Sequence, residues 1–483
     1  MKVLLLLAVA GLGALGVFAW FCRLEREGKR MTTVLVIFGL VLFESWIYPN
    51  QSLMPAGLFH PVFGSGAGTG AGGVESGLSF RLPEILVPMA LVARLLAGRQ
   101  HLLLRAASLW WLAFLTWLTT AVVIGVENGN SANLALFEGK AVAYIGFFLL
   151  VAGVPAEEFA HGRAFRRFLY GPSVIAAVGI VLNQLRVRIS LPIPGVRISD
   201  LGTMGADAAT IFLALGLIAA ALAICSQQRR SSLIVTSLPL LFASLVAEQR
   251  AALLAMAVAL ALFALAIVVG WRRVRTTPTE LALGFATFLA LLMVPILTTA
   301  IIGKRQPSVP FSGTVNAAFD TQAKALSAQD RLNQWATARR LIREHLVIGS
   351  GLGFTYQHYD PGYKVFVTTD LTHNIVFDLL MRVGAIGLAL FAIAFATTFV
   401  DGIKTWLKHL DALVAAVALA STCALTGLIA KGMVESIFEK YRLAMLLGFL
   451  IGVVASTRLS LAAPARASFP ETTYVAKESP VWN

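Results

Sequence analysis

Residues 251–270 read AALLAMAVALALFALAIVVG, a run of 20 residues without one charged side chain. At about 1.5 Å per residue, a helix of this length crosses the ~30 Å hydrocarbon layer of a membrane. The whole chain has the same bias, because 58% of its 483 residues are hydrophobic and only 13% are charged. Ordinary soluble domains have about 25% charged residues. The composition therefore excludes a water-soluble globule and indicates an integral membrane protein.

Similar apolar runs recur along the chain. A β-barrel would instead show segments of about 10 residues with alternating polarity. The unbroken runs therefore predict an all-α integral membrane protein with about 12–13 transmembrane helices. The predicted spans cover residues 3–21, 31–48, 83–98, 106–124, 133–153, 168–185, 205–226, 231–247, 250–270, 280–302, 374–400, 411–430 and 437–457.

Basic residues concentrate in every second connection between the predicted spans. These connections hold Arg23 to Arg30, Arg94 to Arg105, Arg163 to Arg167, Arg229 and Arg230, Arg272 to Arg275, and Lys404 to Lys408. The positive-inside rule places them in the cytoplasm. We therefore expect a multi-pass protein of the cytoplasmic (inner) membrane, with its N-terminus outside and its C-terminus in the cytoplasm.

This topology divides the chain into four regions. We expect about ten N-terminal spans in residues 1–302, a long outer loop in 303–373, three C-terminal spans in 374–457 and a cytoplasmic tail in 458–483. The formal charge of +14 needs no nucleic-acid partner, because insertion topology accounts for most of the basic residues.

Two outward connections, 186–204 and the long loop 303–373, contain basic residues against this bias, including Arg197 and Arg331. They suit either an anion site or salt bridges within a folded loop. The loop also predicts an amphipathic helix over 327–347, with Leu332, Trp335, Ile342 and Leu346 on one face.

The run Gly349-Ser-Gly351-Leu-Gly353 follows that helix. It predicts either a helix end and turn or backbone N–H groups that bind a phosphate. It lacks the Lys-Ser/Thr ending of a Walker A loop.

Several further polar residues are candidates for chemistry. His373 precedes Asn374 at the outer start of a predicted span, where it can act as a hydrogen-bonding residue or as a general base. Arg250 lies in a tight outer turn and can be a snorkelling anchor or a phosphate ligand. Lys140 and Arg382 lie inside predicted spans. Pairing between helices is the simplest expectation for Arg382, whereas Lys140 suits either pairing or a functional role.

Three motifs occur in a fixed order: RLNQW at 331–335, IGSGLGF at 348–354 and HNIVFDLLMRVG at 373–384. Together they resemble the signature of the O-antigen ligase and O-antigen polymerase superfamily. The turn QRA at 249–251 is similar to the family's Ser-Arg-Ala step, with Gln in place of Ser. The resemblance marks residues 204–400 as the approximate O-antigen ligase-like region.

The resemblance implies glycosyl transfer at the outer face of the cytoplasmic membrane. The donor would be a glycan on undecaprenyl pyrophosphate, and the acceptor a sugar hydroxyl. His373 would accept the acceptor proton, and cationic side chains would bind the pyrophosphate. The pyrophosphate candidates are Arg250, Arg331, Lys140 and Arg197, and the supporting residues are Asn374, Trp335, Gly351 and Gly353. No Asp-x-Asp motif lies in the outer loops, so we expect neither a metal nor a cofactor.

Four functions remain open at this point. A polymerase of O-antigen or exopolysaccharide extends a lipid-linked repeat unit, whereas a ligase transfers the glycan to the lipopolysaccharide core on lipid A. We favour a polymerase, because the size and N-terminal third resemble exopolysaccharide polymerases. A lipid-linked glycan flippase would show internal repeats, and a cell-wall transglycosylase would lack the His-Asn pair. A chain-length regulator and a flippase of the same pathway are expected partners.

Overall fold

The structure is a computed structural model. It describes residues 2–47, 82–97, 106–184, 207–226, 230–246, 250–270, 321–362, 364–370, 372–438 and 440–462, with isolated positions between 272 and 279. The predicted span at 280–302 and the boundary between residues 302 and 303 lie outside the described residues.

Helices make up most of the described chain. In chain order they are α1 (Lys2–Arg26), α2 (Arg30–Ile47), α3 (Leu82–Leu96), α4 (Ala106–Glu127), α5 (Ala132–Gly139), α6 (Ala141–Gly146), α7 (Phe148–Ala152), α8 (Ala156–Ala160), α9 (Arg163–Phe168), α10 (Val174–Gln184), α11 (Asp207–Cys225), α12 (Arg230–Val246), α13 (Arg250–Val269), α14 (Thr321–Glu344), α15 (Ile375–Lys408), α16 (Ala412–Gly432) and α17 (Tyr441–Ala462). A π-helical turn (Leu169–Ser173) precedes α10. Strands β1 (Tyr356–Asp360) and β2 (Val365–Thr369) form an antiparallel hairpin.

Seven apolar helical segments in the described part are long enough to cross a membrane. They are Ala107–Glu127, Ala132–Ala152, Asp207–Cys225, Ala251–Val269, Ile375–Lys408, Ala412–Gly432 and Tyr441–Leu461. All seven coincide with predicted spans, which confirms the class of all-α integral membrane protein. The other predicted spans within the described residues also fall on helices.

Helices α11, α16 and α17 form the centre of the bundle. Helix α16 is rich in alanine and packs against α11, α13, α15 and α17. Small side chains let neighbouring helices approach closely, which favours association within a membrane. Helices at the periphery, such as α13, carry exposed apolar side chains that include Leu265 and Val268. These faces suit contact with lipid.

Charged side chains inside the bundle pair between helices. Arg94 of α3 makes two hydrogen bonds to Glu25 of α1, at 2.9 and 3.1 Å. Arg382 of α15 contacts Glu138 of α5 and lies 2.7 Å from Asp378 on its own helix. Pairing offsets part of the cost of placing a charge in the membrane. The expected pairing of Arg382 is thus confirmed.

The predicted amphipathic helix is present as α14, but its buried face differs from the prediction. Leu332 and Leu346 are 52% and 50% exposed, so their assignment to a buried face was wrong. The buried stripe instead runs through Gln334, Ala338 and Ile342, which recur at the i,i+4 spacing. This narrow stripe docks α14 onto β1 and α15.

Helix α15 is broken at Gly384, whose φ of 67° and ψ of −173° are not helical. Such a break leaves backbone groups without their i,i+4 partners, and the membrane offers no water to replace them. Segment 346–351, which follows α14, supplies four of the missing bonds. The N–H groups of Ser350 and Gly351 donate to the carbonyls of 381 and 382, and the carbonyls of 346 and 347 accept from the N–H groups of 385 and 386.

The freed carbonyl of Val383 accepts a hydrogen bond from the Trp117 indole of α4, at 2.8 Å. The backbone groups freed at the break are therefore hydrogen-bonded from two sides, by the long loop and by α4. A Cβ atom at Gly384 would lie 2.3 Å from the carbonyl oxygen of Val347. Only glycine combines this backbone conformation with so close an approach.

We expect Gly384→Ala to destabilise the protein. At this φ and ψ, a region that is essentially confined to glycine, another residue costs about 1–3 kcal/mol, and the clash with Val347 adds to that cost. Thermal unfolding of the purified protein in detergent should show a midpoint lowered by about 2–5 °C, since each kcal/mol shifts a chain of this length by roughly 1 °C.

Gly146→Ala is the matched control, because Gly146 lies within α6 and a Cβ there would meet nothing within 4 Å. It should unfold at the wild-type temperature. A wild-type midpoint for Gly384→Ala would contradict the role assigned to the break.

Candidate active site

His373 lies in a tight turn at the start of α15. Its φ of 44° is in the left-handed region, which few non-glycine residues adopt. The next residue, Asn374, caps the helix by accepting hydrogen bonds from the N–H groups of Val376 and Phe377. The Asn374 amide also donates to the carbonyl of Met433, at 2.9 Å. The turn is therefore fixed to both α15 and the end of α16.

Helix α14 holds the same turn from the other side. The Trp335 indole N–H donates to the carbonyl of Thr372, at 3.1 Å, and the Trp335 ring packs against Phe377 with the ring centroids 5.9 Å apart. Helices α14 and α15 together thus hold Thr372, the residue that precedes His373.

The imidazole of His373 meets a polar chain on α14. His373 Nδ1 lies 3.0 Å from Gln334 Oε1. Gln334 Nε2 in turn donates to Asp330 Oδ2, at 2.8 Å, and Asp330 Oδ1 lies 2.9 Å from His358 Nε2 of β1. Gln334 and His358 are each only 4% exposed. We call Asp330, Gln334, His358 and His373 the histidine cluster.

Charges around the cluster set the protonation of His373. Burial lowers the pKa of His373 below its usual value, and the positive charge of Arg331 lowers it further. Glu435 and Asp330 act in the opposite sense, and Lys440 again lowers the pKa. Burial and Arg331 outweigh the carboxylates, so the imidazole is neutral at neutral pH and can accept a proton.

Two cations therefore lie near His373. Arg331 is on α14, and Lys440 is in the connection between α16 and α17. Lys440 forms ion pairs with Glu435 and with Asp207, the latter at 3.5 Å. No ion pair or hydrogen bond engages the Arg331 guanidinium within the part of the chain that is described, which leaves it suited to an anionic ligand.

Residues 235–392 match the family model described as O-antigen ligase. This stretch is similar to the O-antigen ligase family. It runs from α12 into α15 and contains Arg331, Trp335 and His373. The resemblance to the superfamily of O-antigen ligases and polymerases is therefore confirmed, and it supports a membrane glycan transferase of that type. No curated protein matches the chain.

The matched stretch, residues 235–392, brings together some of the predicted site residues. Arg331, Trp335, His373 and Asn374 meet where α14 faces the start of α15. Arg250 is the first residue of α13, and its side chain lies outside the description. Arg197 also lies outside the described residues.

Lys140 has a different environment. It joins α5 to α6, pairs with Glu84 of α3 at 3.4 Å and lines a cavity with Glu138 and Arg382. The Lys140 side chain is half-buried in this environment. Its assignment to the pyrophosphate remains a prediction.

The glycine run at 349–353 stabilises the fold through its backbone hydrogen bonds. The N–H groups of residues 349–353 donate, in order, to the carbonyls of 345, 381, 382 and 121 and to the Glu138 carboxylate. They are thus already used within the protein, and the alternative that this run binds phosphate was wrong. A Cβ at Gly351 would lie 2.2 Å from the N atom of Gly125 on α4.

Sequence reasoning missed Asp330, Gln334 and His358. Two signals were present in the sequence. Gln334 lies inside the RLNQW motif at 331–335, and its i,i+4 spacing places it on one stripe with Asp330 and Ala338. A polar side chain on the buried stripe of a helix needs a partner, and His373 is that partner. The β-hairpin that supplies His358 has no clear periodicity in the sequence.

No group of three or more His, Cys, Asp or Glu side chains within the described residues could hold a metal ion. The cluster at His373 does not form one.

The lowered pKa of His373 predicts the pH dependence of glycan transfer. Protonation removes the base, so activity should fall only as the pH drops below about 6.5, the usual value for histidine. Arg331→Gln removes a positive charge and should move this acid limb to higher pH, together with its loss of rate. Initial rates of the wild type and of Arg331→Gln, measured between about pH 4.5 and 8, test both expectations, since imidazoles titrate in this range. An acid limb above 6.5 in the wild type would contradict them.

Proposed function

We propose that the protein transfers a glycan from an undecaprenyl-pyrophosphate carrier to a sugar hydroxyl, at the outer face of the cytoplasmic membrane. The observation that carries this proposal is the meeting of a neutral, half-buried His373 with Arg331 inside the stretch that matches the O-antigen ligase family. Such a site has a base for the hydroxyl and a cation for the leaving group.

The reaction is a single displacement at the anomeric carbon of the donor. The acceptor oxygen forms the new glycosidic bond while the bond from carbon to the phosphate oxygen breaks. The acceptor proton passes to His373, and undecaprenyl pyrophosphate leaves with its negative charge. The products are the extended glycan and the free lipid pyrophosphate.

Arg331 is the described residue best suited to the leaving group. Negative charge develops on the pyrophosphate in the transition state, and a fixed guanidinium stabilises that charge through paired hydrogen bonds. From the family resemblance we extend this role first to Arg250, and after it to Lys140 and Arg197. The transfer uses no metal and no cofactor in this scheme.

We favour a surface polysaccharide polymerase, acting on O-antigen or exopolysaccharide, over a ligase. The large size and the N-terminal third of the chain support the polymerase. The description of the matching family as O-antigen ligase favours the second candidate, transfer to the lipopolysaccharide core on lipid A. The two functions share the donor chemistry and differ in the acceptor. A chain-length regulator and a flippase of the same pathway are proposed partners.

The direct test places the purified protein in nanodiscs with a lipid-pyrophosphate-linked repeat unit and a metal chelator. The wild type should convert it to a ladder of longer lipid-linked glycans. His373→Ala should lower the rate about 10²–10⁴-fold, the usual contribution of a general base. Arg331→Ala should also lower the rate of transfer. Arg331→Lys should retain only part of the wild-type rate, because an ammonium cannot form the paired hydrogen bonds.

Arg340→Ala is the control for the loss of a positive charge on α14, since Arg340 is exposed on the same helix. It should transfer at the wild-type rate. Products only on an added lipid A core would establish the ligase. Movement of the donor across the bilayer without any transfer would overturn the proposal in favour of a flippase.

A further inference from the structure

We propose that Asp330 and Gln334 are positioning residues that fix which ring nitrogen of His373 carries the proton, so that Nε2 is the nitrogen that acts as base. The inference rests on the proposed function, in which His373 accepts the acceptor proton. It assigns a role to two side chains of the histidine cluster that do not touch the reacting atoms.

The orientation of the Gln334 amide follows from Asp330. An ionised carboxylate can only accept hydrogen bonds. Asp330 Oδ2 lies 2.8 Å from one end of the Gln334 amide, and that end must therefore be the NH₂ group. A flipped amide would place two acceptor oxygens against each other. The oxygen Oε1 consequently faces His373.

Asp330 is itself fixed by the hairpin. His358 Nε2 lies 2.9 Å from Asp330 Oδ1 and 3.4 Å from Gln334 Nε2. If His358 Nε2 carried no hydrogen, its lone pair would face the carboxylate oxygen of Asp330. The hydrogen of His358 therefore lies on Nε2, which donates it to Asp330. The amide of Asn333 also donates to the carbonyl of Tyr359, at 2.9 Å. Strand β1 thus holds the carboxylate and its helix together.

The amide then decides the tautomer of His373. Gln334 Oε1 can only accept, and it lies 3.0 Å from His373 Nδ1. Nδ1 must therefore carry the hydrogen. A neutral imidazole has a single N–H, so Nε2 keeps its lone pair. The Trp335 contact and the Asn374 cap hold the turn in place, and Nε2 is the nitrogen left to receive a proton.

The charged groups that face His373 determine how a charge introduced at position 334 would change the pKa of His373. Asp330 and Arg331 face it from α14, and Glu435 and Lys440 from the connection between α16 and α17. A carboxylate at position 334 would still accept from Nδ1 but would also stabilise the imidazolium. It should therefore move the acid limb of kcat/KM to higher pH by about 1–2 units.

The test compares Asp330→Asn with the double variant Asp330→Asn/Gln334→Glu, using the glycan-transfer assay on the full-length protein. In Asp330→Asn the side chain at 330 can donate or accept, so the amide of Gln334 is free to flip. We expect kcat to fall about 10–100-fold. In the double variant the amide at 330 donates to the carboxylate at 334, which accepts from His373. Most of kcat should return, with the acid limb at higher pH.

Gln329→Ala is the control, since Gln329 is an exposed neighbour on α14 and should retain wild-type rates. Wild-type activity and pH dependence in Asp330→Asn would overturn the inference and leave the proposed function intact. A double variant that is folded but as slow as Asp330→Asn would overturn it too. Absence of transfer by the wild type would instead overturn the proposed function, and the inference with it.

Asp330→Asn must remain folded for this comparison, which size-exclusion chromatography and thermal unfolding establish. Should it fail to fold, the double variant compared with the wild type carries the test, because Asn at 330 still donates to the carboxylate at 334. That variant keeps an acceptor toward Nδ1, so activity at high pH should remain while the acid limb moves up. An unmoved acid limb would overturn the inference.

Discussion

The backbone hydrogen bonds across the break at Gly384 connect the long loop to the membrane bundle. A transmembrane helix cannot leave its carbonyl and N–H groups unpaired in a medium without water. Here segment 346–351 fills the gap as though it were part of α15. The glycines at 349, 351 and 353 allow the contact, because a Cβ at each would lie within 3 Å of a backbone atom of α15, α4 or the start of α5. The same backbone groups therefore cannot bind a phosphate.

This contact determines where the proposed catalytic residues lie. Helix α14 ends at Glu344, immediately before the segment, so its last turn is fixed beside α15. The start of α15 is fixed independently by the Asn374 cap and its bond to Met433. With both ends held, Gln334 and Trp335 reach the turn that carries His373. The long loop thereby forms one wall of the site at the start of α15.

Much of the fold followed from the sequence, because apolar runs of about 20 residues have few alternatives in a membrane. The roles proposed for His373 and Arg331 rest on motifs, and the order of these motifs led us to expect that the two residues meet. The histidine cluster could not be predicted from the sequence, because it depends on which stripe of α14 is buried. Apolar periodicity favoured Leu332, yet Gln334 is buried, since its partners come from a hairpin and a turn far along the chain. The glycine run was ambiguous for the same reason: its partners lie on α4, α5 and α15.

The central claim is that α14 and the start of α15 form one site, with Arg331 at the donor pyrophosphate and His373 at the acceptor hydroxyl. A cryo-EM structure in nanodiscs with a non-cleavable phosphonate analogue of the lipid-linked donor, together with an acceptor glycan, tests it most directly. The account predicts the diphosphate group against the Arg331 guanidinium and the acceptor hydroxyl within about 3 Å of His373 Nε2. A diphosphate bound elsewhere, for instance at Lys140, with His373 out of reach of the acceptor, would contradict it.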